Sequence, residues 1–271
     1  MSETVADRQI GFKVYGPASM DGADVAADVY ARKLAAFIAA LKAADKATSD
    51  GKGRYRYRIA RLHTSIPTAI IREEGIAPLG EFDASGIESF LQCADLLKRG
   101  DPEALRYGDC AKYLGALSRT NPEFGYAEAW DSKNRVVRAD KFLRDQAKRV
   151  LSPASRRPES AGWFKGATYG TFDGLLQVID NRGRLPLLKI ALSAGGREID
   201  CLGSSDELDR VASYIGKRVR VFGQAMYDGS DGLPVRIEAI RFEPVKAESD
   251  FSRWKGAFEH FDAGAWGVDY E

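Results

Sequence analysis

The sequence predicts an α+β protein, a mixed N-terminal domain followed by a small five-stranded OB-like β-barrel. Two observations carry this. Residues 1–151 mix amphipathic helices, with apolar residues three and four apart, and short alternating strands. Between Gly170 and Phe242 the order is three strands, a capped helix and two strands.

Gln9 to Tyr15 reads as a strand ended by Gly16-Pro17. Asp24 to Ala47 reads as a helix, its buried face set by Tyr30, Leu34, Phe37, Ile38 and Leu41. Arg54 to Leu62 and Thr68 to Arg72 read as paired strands around Pro67. Ala84 to Lys98 is a second helix with Ile87, Phe90, Leu91, Ala94 and Leu97 inward, closed by Gly100, and Asp101-Pro102-Glu103 starts another. Asp109 to Ser118 reads as a short helix, Phe124 to Trp130 as a strand, and Arg135 to Leu151 as a helix. The pattern leaves the topology of this half open. Residues 152–160, rich in proline, serine and charge, read as a linker that buries no core.

Residues 161–246 carry the barrel. Thr168 to Ile179 is a long first strand with Gly174 inside it, where tight coiling needs a residue without a side chain. Leu185 to Leu192 and Arg197 to Leu202 follow. Ser204 or Ser205 caps a helix running to Ile215, ended by Gly216. Arg218 to Phe222 alternates polar and apolar, and Val235 to Phe242 is the last strand. The helix between the third and fourth strands resembles the OB-fold, which implies a barrel that binds oligonucleotides or partner proteins. The rival reading is another small five-strand barrel.

Length and composition narrow the function. A chain of 271 residues suits two domains. Forty basic against 39 acidic residues exclude a protein that coats phosphate backbones by bulk charge, so any nucleic-acid role rests on local patches. Cys93, Cys110 and Cys201 are widely spaced and read as reduced thiols; with only His63 and His260 beside them, neither a disulfide frame nor a metal site is expected, and no cofactor. MSETVADRQI has neither a basic start nor an apolar core, so the expectation is a cytoplasmic, bacterial-type protein without a signal peptide.

Two basic surfaces stand out. Lys52, Arg54, Arg56, Arg58 and Arg61 fall within ten residues that hold no acid. On an extended strand Arg54, Arg56 and Arg58 share one face, roughly 6.5–7 Å apart, a spacing that can follow phosphates. From Lys133 to Arg157 nine basic residues face two acids, and Arg138, Lys141, Arg144 and Lys148 fall along one helical stripe. Each surface also reads as an ordinary solvated face.

Residues 161–246 are near neutral, with 12 basic and 11 acidic residues. Their second and third strands lack the aromatics of an oligonucleotide grip, leaving Arg182 and Arg184 as loop contacts. Residues 247–271 are acidic and aromatic. They resemble in style the partner-recruiting tails of single-stranded DNA-binding proteins, which implies that Trp254, Phe258, Phe261, Trp266 and Tyr270 bind a protein. The other reading is a tail docked on its own domain.

Chemistry is thinly signalled. Arg58 and His63 have the Arg-x4-His spacing similar to HEPN ribonucleases, which implies action on an RNA phosphate, but those proteins are helical and alternation here predicts a strand. No Walker loop, GxGxxG or GxSxG is present. The expectation is a non-enzymatic nucleic-acid-associated adaptor, its basic surfaces on DNA or RNA and its barrel and tail on a protein partner. The alternatives are a purely protein-binding subunit of a complex and a HEPN-like ribonuclease.

Overall fold

The computed structural model describes residues 5–17, 25–49, 51–63, 67–76, 85–152, 162–193 and 195–245. Apart from Ser152, the expected linker lies outside the described residues, as does the tail with Trp254, Phe258, Phe261, Trp266 and Tyr270.

The first half runs β1 (Gln9–Tyr15), α1 (Ala27–Ala47), β2 (Tyr55–His63), β3 (Thr68–Gly75), α2 (Gly86–Arg99), a 3-10 helix (Pro102–Tyr107), α3 (Gly108–Leu117), β4 (Tyr126–Asp131), β5 (Val136–Ala139) and α4 (Lys141–Leu151). Its strands form one antiparallel sheet in the order β2-β3-β1-β4-β5. Alternation explains the layering. Ile10, Phe12 and Val14 on β1, Ile71 on β3, and Ala127 and Ala129 on β4 bury one face against all four helices. There Phe12 stacks on Phe37, which meets Phe90 edge-on.

Local signals set the boundaries. The Ser85 side chain accepts the Glu88 N–H to start α2, and Gly100, at φ 69°, ends it. Buried Asp45 accepts the N–H groups of Arg54 and Tyr55 at 2.8 and 3.0 Å and so fixes where β2 begins. The helix expected from Arg135 is corrected. Val136 to Ala139 pair with β4, because the β-branched Val136-Val137 pair suits a strand, and Asp140, extended at φ −134°, caps the helix that starts at Lys141.

The second half is a closed barrel of β6 (Lys165–Asp180), β7 (Leu187–Leu192), β8 (Glu198–Leu202), β9 (Arg218–Asp228) and β10 (Arg236–Pro244). In barrel order β6, β7, β8, β10 and β9 are neighbours, with β8 and β10 parallel. The expected helix from Ser204 or Ser205 to Ile215 is shorter, a 3-10 turn at Ser205–Glu207 and α5 (Leu208–Ala212). Ser213 donates its hydroxyl to the Arg210 carbonyl, a local bond that competes with continuing the helix. Gly174 is needed, since an added Cβ would sit 2.5 Å from the Ala191 carbonyl oxygen.

The barrel docks on the sheet face away from the helices. Glu128, fully buried there, accepts the backbone N–H groups of Arg184 at 2.7 Å and Leu185 at 3.4 Å and the Tyr15 hydroxyl at 3.2 Å. A Cβ on Gly183 would lie 2.4 Å from a Glu128 carboxylate oxygen. Gly183→Ala is therefore expected to lower stability by about 1–3 kcal/mol, the usual range for overpacking, read as a falling Tm. Gly108→Ala, whose Cβ meets nothing and falls on helical backbone at the start of α3, is the control that does not lower Tm.

Candidate nucleic-acid interface

Strand register decides which cations share a surface, because residues directly opposite one another face the same way. Arg58, Arg72 and Gln9 form one row across the sheet. Arg61, Ile70, Gly11, Trp130 and Val136 form the next, and His63, Thr68, Lys13, Glu128 and Arg138 a third. All three rows lie on the face opposite the helices.

Regular alternation would put Arg61 on the other face from Arg58. A bulge between Ile59 and Arg61 absorbs one residue and returns Arg61 to the same side. Arg56, opposite Glu74, joins them, so Arg56, Arg58 and Arg61 are exposed together along an edge strand, with Arg72 beside them. Arg58 pairs with Glu74 at 2.7 Å, whereas Arg56 and Arg61 make no ion pair among the described residues. Lys52 is exposed in the turn before β2, and Arg54 is half-buried. Val5 covers the middle of the face with Ile70 and Trp130, leaving the arginines at its margin.

The other predicted cations separate. Arg182 is held by Asp180 at 2.9 and 2.7 Å and donates to the Gly16 carbonyl. Arg184 lies 4.1 Å over the Trp130 ring, on the same sheet face as the β2 arginines. Arg138, expected on a helical stripe, is instead on β5, and its side chain is 4% exposed. It donates to the Leu185 carbonyl at 2.9 Å, lies over Tyr126, and stands 3.6 Å from Glu128 and 3.5 Å from Asp140. Burial raises the Glu128 carboxyl above its usual range, against the lowering effect of its donors and Arg138. Lys141 and Lys148 are exposed on α4, and Arg144 binds Thr120 and Asp145. Since α4 packs on α2 and α3, this stripe belongs to the helical layer.

Residues that pattern reading missed join Arg184 to the barrel. Lys98, Asn134, Tyr169, Arg184, Gln224 and Ile240 line a groove of about 770 Å³ between sheet and barrel. On the barrel wall Tyr169 stacks with Phe222, centroids 6.4 Å apart, and Arg220 and Arg241 border Phe222. The signal was available in the outward positions of β9, where Arg218, Arg220, Phe222 and Gln224 alternate with buried residues.

Arg58 and His63 lie on an edge strand, not on the helices of a HEPN bundle. Among the described residues no His, Cys, Asp or Glu cluster could hold a metal, and no helix is long and apolar enough to cross a membrane.

No family model matches the chain, and no curated protein matches it. Among solved structures, the S. pombe Stn1–Ten1 complex is similar at 20% identity and TM-score 0.24, over 33% of this chain and 65% of that one. OBody NL8 bound to hen egg-white lysozyme is similar at 18% and 0.24, over 29% and 94%. OBody AM1L10 bound to the same protein is similar at 16% and 0.23, over 33% and 97%.

Proposed function

We propose that this protein is a nucleic-acid-associated adaptor that holds a sugar-phosphate backbone along the exposed β2 margin of the sheet and presents its barrel to a protein partner. The observation that carries this is the bulge in β2, which brings Arg61 onto the face of Arg56 and Arg58 and toward Arg184 over Trp130. Cations along a strand match the repeat of a phosphate chain, and two of them have no carboxylate partner among the described residues. Arg138 and Arg182 hold the barrel in place, and Lys141, Arg144 and Lys148 lie outside the contact.

The test is fluorescence anisotropy of a labelled single strand of about 20 nucleotides against the full chain, at salt from about 20 to 200 mM. Affinity is expected to fall steeply as salt rises. No binding at the lowest salt would end this reading.

A purely protein-binding subunit is the second reading. It is favoured by Tyr169 and Ile240, large apolar side chains 62% and 57% exposed on the barrel wall. It predicts a co-purifying protein that is lost on Tyr169→Ser with Ile240→Ser, and no salt-dependent binding of nucleic acid.

A further inference from the structure

The outer wall of the barrel, formed by β6, β9 and β10, carries a hollow of its own. Strand register puts Thr171, Phe222 and Arg241 in one row and Asp173, Arg220 and Glu243 in the next. Thr171, Arg220, Phe222, Arg241 and Glu243 line a space of about 290 Å³. Exposed Tyr169 stacks on Phe222, and a bulge between Ala239 and Arg241 leaves the Ile240 side chain exposed beside them. Large apolar groups gathered on a surface in this way mark a contact.

The charges on this wall do not cancel. Asp173 takes Arg218, and Glu243 takes Arg241 at 3.2 Å. Arg220 stands between the same two acids in register and makes no ion pair among the described residues, so these five side chains keep one net positive charge. A guanidinium beside an exposed ring suits an aromatic group that arrives with a carboxylate.

The chain brings such groups to the hollow itself. The Val245 N–H donates to the Arg218 carbonyl at 2.9 Å, so β10 ends on this wall and the chain continues from there. Phe222 lies four residues along β9 from Arg218, about 13 Å. The nine residues from Val245 to Trp254 span about 30 Å when extended, enough to turn and come back. On an extended segment Glu248, Asp250, Ser252 and Trp254 fall on one side, and Phe251, Arg253 and Lys255 fall on the other. The first side joins two carboxylates to an indole, the complement of Arg220 and Phe222.

We propose that residues 246–254 fold back along this wall, with the Trp254 indole in the hollow against Phe222, Arg220 and Arg241 and with Glu248 and Asp250 facing Arg220. The contact stands independently of the function proposed above, and a partner protein that uses this wall must displace it.

The test is disulfide trapping in the full-length protein, whose native cysteines are all buried. Thr171→Cys with Ser252→Cys is oxidised by oxidised glutathione and compared with Gln177→Cys with Ser252→Cys. Gln177 is also exposed, and it lies nearer than Thr171 along β6 to Leu175, the residue opposite Arg218 where the chain leaves the wall. A segment that is tethered without docking reaches Gln177 at least as often. The expected result is an intramolecular disulfide that forms at least about tenfold faster at Thr171 than at Gln177, an advantage that Trp254→Ser removes. Equal rates at the two positions, an advantage unchanged by Trp254→Ser, or a disulfide that joins two chains would each overturn the proposal.

Discussion

Asp140→Ala is expected to destabilise the protein by about 3–5 kcal/mol, the usual cost of stranding a buried charge. One oxygen of Asp140 accepts the Leu143 N–H at 3.2 Å and starts α4. The other accepts Arg236 of the barrel at 2.7 Å and stands 3.5 Å from Arg138. Removing the carboxylate uncaps a helix and leaves two buried guanidiniums without their shared partner, and water cannot reach them to compensate. Asp140→Asn keeps the cap and loses the charge, so it is expected to recover about 1 kcal/mol. Arg236→Met added to Asp140→Ala is expected to recover more, because it removes one of the stranded cations. Urea unfolding reads all three. A loss under about 1 kcal/mol for Asp140→Ala would show that the carboxylate does not hold sheet and barrel together.

The second large effect is on binding. The combined Arg56→Ala, Arg58→Ala and Arg61→Ala variant is expected to weaken single-strand binding about 100-fold near 0.1 M salt. Each phosphate contact to a single strand contributes roughly 0.7 to the dependence of log affinity on log salt, so three contacts account for about two powers of ten at that salt. These side chains are exposed and pack little, so the variant is expected to keep the parent Tm. Anisotropy and thermal unfolding on the same preparation separate lost contacts from lost structure.

Legibility in the sequence followed how local each signal is. The barrel order was readable because strand-like runs flank a capped helix, Arg218 to Phe222 alternates, and Gly174 marks a close backbone approach. β5 was not, because Arg135 to Leu151 satisfies helical spacing throughout. Only Asp140, three residues before Leu143, and the Val136-Val137 pair argue for a strand followed by a fresh start. The bulge at Ala60 left no trace in the pattern, since it depends on which residues of β3 lie opposite, and with it went the facing of Arg61. Glu128 between Tyr126 and Trp130 was a missed clue. Alternation puts a carboxylate between two aromatics on one face of a strand, and such a group needs donors from another element. Those donors come from the backbone of Arg184 and Leu185, far away in sequence, which no local pattern reports.

The most direct test of the shared arginine face compares salt dependence in two triple variants. One is Arg56→Ala, Arg58→Ala and Arg61→Ala on β2; the other is Lys141→Ala, Arg144→Ala and Lys148→Ala on α4. Both remove three positive charges, so a bulk-charge effect treats them alike. The predicted result is a slope of log affinity against log salt that falls by about 2 for the β2 variant and holds at the parent value for the α4 variant. Equal losses in the two, or a loss confined to α4, would contradict the account.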